Sequence, residues 1–331
     1  MKSILNWFLI IVSLALLVSS CAKSEDSKTA SAADSSASSA TAIAAGQYHT
    51  CALLDNASVK CWGENNRGQL GIDNTTNMGD NSGEMALLPV VNLGTGRTAT
   101  AIAAGEYHTC ALLDNASVKC WGKNDWGQLG TDSGANRGDN SGEMAALPTV
   151  NLGTGRTATA IATGEYNTCA LLDNASVKCW GSNDYGAAGI DDSTDDDIGD
   201  SSGEMAQLPV VNLGSGLTAT AISVGDDFAC ALLSNESVKC WGFNGRGELG
   251  IDNATTMGDN TGEMAQLTGI NLGTGRTAKA ITSGDSHNCA LLDDASVKCW
   301  GYNSDGQLGI NNTTTMGDNS SEMDLLLGID L

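Results

Sequence analysis

The chain has 331 residues with 39 acidic against 16 basic side chains, a formal charge of −23 at pH 7. Nucleic-acid binding relies on Lys and Arg to displace counterions from phosphates, so this balance argues against a nucleic-acid partner and against adsorption to anionic headgroups. Eleven cysteines are an odd number, and all but one fall into evenly spaced pairs.

Residues 1–20 read as a secretory signal. Lys2 supplies the positive end, and Ile4 to Leu17 is an apolar run broken only by Asn6 and Ser13, short for a membrane-spanning helix. Val18-Ser19-Ser20-Cys21 resembles the lipobox of bacterial lipoproteins, in which cleavage precedes the cysteine and its thiol carries diacylglycerol. Cys21 is also the one cysteine outside the pairs, as an acylated thiol requires. Ala22, rather than Asp, follows it, which by resemblance to envelope sorting implies the outer membrane. Residues 21–40 are rich in Ser and Ala and too polar to pack, suiting a flexible tether. Together these features predict a lipid-anchored protein of the bacterial cell envelope that meets the membrane through its anchor.

Residues 41–331 repeat one block five times. Its marks are five cysteine pairs: Cys51 with Cys61, Cys110 with Cys120, Cys169 with Cys179, Cys230 with Cys240, and Cys289 with Cys299. Each second cysteine is followed by Trp-Gly. Successive first cysteines lie 59, 59, 61 and 59 residues apart, so one supersecondary unit recurs in tandem. In the second copy the spacing predicts strands over Thr98–Ala103, Tyr107–Leu113, Ser117–Gly122 and, after a turn-rich stretch, Leu147–Leu152 with Pro148 near its start. Four short strands per copy form a propeller blade, so the expected fold is an all-β propeller. A turn centred on Asn115 places Cys110 opposite Cys120 on facing strands, where a disulfide is feasible if the pair is of the closer, non-hydrogen-bonded type. Zinc is the poorer reading, since each pair offers only half of a tetrahedral site.

The pattern Gly-x-x-His-x-Cys-Ala-Leu-Leu of Gly46 to Leu54, continued by Val59-x-Cys61-Trp62-Gly63-x-Asn65-x-x-Gly68-Gln69-Leu70-Gly71, resembles the regulator-of-chromosome-condensation repeat. The resemblance covers residues 42–331 and implies a β-propeller with one blade per repeat. Family members commonly have seven blades, whereas five copies occur here, each lengthened by a stretch typified by Asn74 to Ala86. The ring is expected to close by pairing the Thr41–Ala45 strand with Leu325–Leu331; an open arc completed by another chain is the alternative. The eukaryotic namesake promotes nucleotide exchange on a nuclear GTPase and binds chromatin, and a shared scaffold does not carry that role across.

Comparison of the five copies separates scaffold from decoration. The tryptophans recur because each blade needs a large core anchor. His49, His108 and His287 share a position that is Asn167 and Phe228 in the other copies, which suits a strand residue making a hydrogen bond better than a catalytic base. No nucleophile elbow, zinc-protease helix or phosphate-binding loop appears, so an enzyme is not expected. The loop after Trp-Gly varies instead. It carries Arg67, Trp126, Tyr185, Arg246 and Tyr302, large anchors of the kind that build a face for a protein partner, with carbohydrate stacking as the alternative. A second recurring stretch pairs Asp80 with Glu84, Asp139 with Glu143, Asp200 with Glu204, Asp259 with Glu263 and Asp318 with Glu322. In the third copy Asp191, Asp192, Asp195, Asp196, Asp197 and Asp200 crowd one loop, a candidate Ca²⁺ ligand set, although capping of a turn explains the recurring pattern more simply. No other cofactor is expected.

Overall fold

In each repeat a bend, a hairpin and a capped turn follow in fixed order, here described from a computed structural model for residues 38–191 and 197–329. The signal segment, Cys21, Asp192, Asp195, Asp196 and the last two residues lie outside the described residues. The first repeat holds β1 (Ala40–Ala45), β2 (His49–Leu54), β3 (Val59–Gly63) and a single helical turn α1 (Glu84–Leu87). The second holds β4 (Ala99–Ala104), β5 (His108–Leu113), β6 (Val118–Gly122) and α2 (Glu143–Ala146). The third has β7 (Ala158–Thr163), β8 (Asn167–Leu172), β9 (Val177–Gly181) and α3 (Glu204–Gln207). Then come β10 (Ala219–Val224), β11 (Phe228–Leu233), β12 (Val238–Gly242) and α4 (Glu263–Gln266). The fifth ends the series with β13 (Ala278–Ser283), β14 (His287–Leu292), β15 (Val297–Gly301) and α5 (Glu322–Leu325). Five antiparallel sheets of three strands result, one blade per repeat.

The blade is one strand poorer than its sequence suggests. The fourth edge is an isolated antiparallel bridge, Gly122 to Arg137 in the second repeat, and not the predicted strand over Leu147–Leu152. Pro148 has no N–H to donate, and Asn151 turns its side chain onto the backbone N–H of Gly153 at 3.0 Å, so that segment keeps a single backbone bond to the sheet, Val150 N–H to the Val118 carbonyl. Leu325 belongs to α5, and Ile329 donates to Val297 of its own repeat. The described terminal segment therefore does not pair with β1, contrary to the closure expected from the sequence.

The hairpin carries the cysteines as its register demands. Cys110 faces Cys120 and Leu112 faces Val118 in the second repeat. Cys51 is bonded to Cys61, Cys110 to Cys120, Cys169 to Cys179, Cys230 to Cys240 and Cys289 to Cys299, with Cα atoms 4.0–4.1 Å apart. That separation is slightly shorter than disulfides usually show, as the close pairing of directly opposed residues requires. With every one of these sulfurs in a disulfide, Cys179, Cys240 and Cys299 and their partners have no thiolate to offer a metal. At the tip, Ala116 adopts a left-handed conformation at φ 61°, supported by Asn115 accepting from both the N–H and the hydroxyl of Ser117. At the opposite end Gly105 has no room for a side chain, since a Cβ would fall 2.3 Å from the Gly164 carbonyl oxygen of the next repeat.

The core lies between repeats. At each internal junction the trailing face of one repeat, built on its disulfide and on residues such as Leu112 and Val118, receives an Ala, a Leu, the Trp and the helical-turn Met of the next, here Ala170, Leu172, Trp180 and Met205. Burying apolar surface of this size is the main stabilising term, about 25 cal/mol per Å² removed from water. Five repeats make four such junctions.

Candidate partner-binding rim

The hairpin sets start and end of each blade side by side, because the first residue of the middle strand pairs with the last of the third, as His108 does with Gly122. The loop after Trp-Gly is then tied to the turn before the middle strand: Lys123 N–H donates to the Tyr107 carbonyl and Phe243 N–H to Asp227, both at 2.9 Å. These two loops from each repeat form one rim.

Along that rim, side chains of neighbouring repeats touch in pairs. Tyr48 stacks on Tyr107 with ring centroids 5.2 Å apart, Trp126 lies 4.4 Å from Tyr166, and Tyr185 meets the Phe243 ring edge-on at 5.0 Å. The Arg246 guanidinium sits 4.6 Å from the centre of the Tyr302 ring and donates to the Ser286 hydroxyl at 3.1 Å. Lys123 holds its ammonium 3.8 Å above Trp126. Arg67 is exposed in the first repeat. The five anchors expected from sequence thus share one rim, but Trp126 is half-buried rather than free, while Tyr185 stays 41% exposed. A depression of about 170 Å³ between Tyr185, Phe243, Arg246 and Asp227 opens on this surface.

Sequence reasoning missed the inner ring. Gln47, Glu106, Glu165, Asp226 and Asp285 hold one position in successive repeats and line a central opening of about 430 Å³. Oxygens of Glu165, Asp226 and Asp285 come within 4.8 Å of one another. Burial first, and then the neighbouring Glu165 carboxyl, push Glu106 and Asp226 up to about 8. Asp227 rises to about 6, again through burial and the negative charge of Glu165. Burial acts in the same sense on Glu165, yet hydrogen bonds from Glu106, Asp226 and Tyr166 outweigh it and hold that carboxyl low. The signal was available: each of these residues follows the recurring glycine that ends the first strand.

Other candidates resolve into scaffold. Glu143 accepts the N–H groups of Gly138 and Asn140 at 3.0 Å each, and Glu84 binds Gly79 and Asn81 in the same way, so the repeated acidic motif caps a turn. In the acidic loop Asp191 accepts from Met264 N–H at 2.8 Å across a junction, and Asp197 accepts from Asn183 N–H at 3.4 Å. His49 and His108 hydrogen-bond Thr109 and Thr168 of the next repeat at 2.7 and 2.9 Å, and burial lowers them to about 4 and about 3.

Comparison with known proteins agrees with this architecture. Human E3 ubiquitin-protein ligase HERC2 is 27% identical over 277 residues, covering 83% of this chain and 5% of that protein. The Arabidopsis thaliana ultraviolet-B receptor UVR8 is 26% identical over 269 residues, covering 81% of this chain and 54% of its own. The chain therefore spans between one twentieth and about half of the length of these relatives. Human WBSCR16 superposes with a TM-score of 0.68 at 18% identity, covering 89% of this chain and 68% of that one. Yeast RCC1 (Prp20), bound to Kap60, gives 0.62 at 20% identity over 82% of this chain and 57% of that one. A family model described as RCC1-like domain matches residues 19–326, and the chain belongs to that family.

Proposed function

We propose that this chain is a non-enzymatic lipoprotein of the bacterial envelope, probing its surroundings through the aromatic and cationic rim of its propeller to bind a protein partner. The chain has the RCC1-like architecture, and the structural neighbour from yeast, Prp20, was itself solved with Kap60 bound. The observation that carries the reading is the run of side-chain pairs from Tyr48 to Tyr302: the loops after Trp-Gly hold different large side chains packed against their neighbours, giving an asymmetric rim. Tyr, Trp and Arg are the residues that anchor protein interfaces, while the chain's formal charge of −23 favours a partner that offers positive charge. The lipobox and tether of the sequence would hold this rim near a membrane, on the outer membrane by the residue after Cys21.

The test is chemical cross-linking on intact cells, followed by purification of the tagged chain, in parallel with a glycan array probed with the soluble domain. Recovery of one dominant protein with the wild type, and its loss with Trp126→Ala/Tyr185→Ala, supports the proposal. Glycan binding with the same dependence on Trp126 and Tyr185 would replace the protein partner with a carbohydrate.

A further inference from the structure

Four junctions join five repeats, and each uses the same chemistry. The Trp of the following repeat donates its indole N–H to the preceding one: Trp121 to the Gln69 carbonyl, Trp180 to Gln128, Trp241 to Ala187 and Trp300 to Glu248, at 3.0–3.1 Å. Met144, Met205, Met264 and Met323 donate backbone N–H groups to Asp73, Asp132, Asp191 and Asp252, at 2.8–2.9 Å. Backbone meets backbone as well, because a Cβ on Gly68, Gly127, Gly186 or Gly247 would fall within about 3 Å of the loop around Gly138, Gly199, Gly258 or Gly317.

The two outermost repeats keep both halves of this device unused. In the fifth repeat Leu291 is 41% exposed where Leu232 is 7%, and Gly306 has nothing within 4 Å. In the first repeat Met85 is 48% exposed where Met144 is fully buried, Ile43 is 73% exposed, and Trp62 is only partly covered. Among the described residues no hydrogen bond joins the first repeat to the fifth. A cavity of about 350 Å³, lined by Gly309, Asn311, Met316 and Leu326, lies at the position that a following repeat would cover.

We infer that the trailing face of the fifth repeat receives the leading face of the first repeat of a second copy of this chain. The occupant follows from the chemistry, since the free leading face carries the same Trp, Met and Ala-Leu set that fills the trailing face four times over. A second copy, rather than the chain's own first repeat, supplies it without disturbing the four junctions that already fix the turn from one repeat to the next and that leave Leu291 and Met85 exposed. The contact is head-to-tail, so copies assemble into a closed ring or an open string, according to whether the rotation closes.

The positions to report the contact are Met85 and Asn311, because their equivalents Met144 and Asp73 lie in hydrogen-bond contact across an internal junction. The chain carrying Met85→Cys is mixed with chain carrying Asn311→Cys and treated with a short bis-maleimide. A link between the two populations can only be intermolecular, and a band of two chains on a denaturing gel is the expected result, absent when either variant is treated alone. Leu291→Arg, on a site already exposed, should abolish that band while the circular-dichroism melting curve is retained. A double Met85→Cys/Asn311→Cys chain that links only to itself would overturn the inference in favour of ring closure. So would the absence of any link together with a single-copy sedimentation mass, or a band that survives Leu291→Arg.

Discussion

Trp180 gives its indole N–H to the carbonyl of Gln128 at 3.1 Å, fully buried, across the boundary between two repeats. Trp62 is the same residue of the same motif in the first repeat, where no repeat among the described residues packs against it, and it is partly exposed. Position in the array therefore decides what the side chain contributes. Trp180→Ala is expected to cost roughly 3–5 kcal/mol, as for other buried aromatic truncations, and Trp62→Ala less than half as much. Chemical denaturation of both variants checks this, and equal losses would contradict the junction account.

Each disulfide closes a short loop within one hairpin, its cysteines 10 residues apart. The loop-entropy argument assigns each about 2–3 kcal/mol, so replacing both Cys169 and Cys179 by Ala should lower stability by that amount without changing the fold. Non-reducing peptide mapping of the wild type should recover five links, including Cys230 to Cys240 and Cys289 to Cys299, each between cysteines 10 apart. Free thiols or links between repeats would overturn it.

The acidic opening predicts an inverted pH response. Burial raises Asp226 and Glu106 to about 8, so between the ordinary carboxylate range and about 8 the folded chain binds protons that the unfolded chain releases, and stability falls as pH rises through that window. His49 and His108, held neutral by burial, act the other way below their ordinary value of 6.5, where the unfolded chain takes up protons that the folded one refuses. The carboxylates therefore dominate between pH 6.5 and 8. Melting temperature should rise as pH drops through that window, and Glu106→Gln/Asp226→Asn should flatten the rise. A slope unchanged in the double variant would place the response elsewhere.

The anchor is tested at one atom. Cys21→Ala should leave the protein unprocessed or release it from membranes, as read by fractionation and by the mass of the mature amino terminus. Correct cleavage before residue 21 with continued membrane association would contradict the lipobox reading.

What the sequence made legible was local. The turn at Asn115 and the facing of Cys110 with Cys120 follow from spacing inside one hairpin, and the repeated acidic motif was readable as a capped turn, although the cap is Glu143, which accepts from Gly138 and Asn140, rather than the Asp and Asn of the motif. The histidine at position 108 was readable as a hydrogen-bonding strand residue, because a catalytic group would not be replaced by Asn167 and Phe228 in sister copies. Relations between repeats were not legible in the same way. The contact of Trp126 with Tyr166, the crowding of Glu165 with Asp226 and Asp285, and the exposure of Met85 against the burial of Met144 depend on how one blade sits on the next. The Leu147–Leu152 segment had strand-like composition, but Pro148 and the turn at Asn151 leave it one bond to the sheet.

The most direct measurement is the affinity of the soluble domain for the partner recovered by cross-linking, determined by calorimetric titration for wild type, Trp126→Ala, Tyr185→Ala and the double variant. Arg156→Ala serves as the control, since Arg156 pairs with Asp173 at 3.3 Å at the opposite, hairpin-turn end of the blade. Losing an interface anchor typically costs about 2 kcal/mol or more, so each rim variant should bind at least about tenfold more weakly while remaining folded, with a modest drop in melting temperature for Trp126→Ala, which loses its packing on Tyr166 and Lys123, and the control should bind as wild type does. Unchanged affinity in the double variant, or an equal loss from Arg156→Ala, would contradict the assignment of binding to this rim.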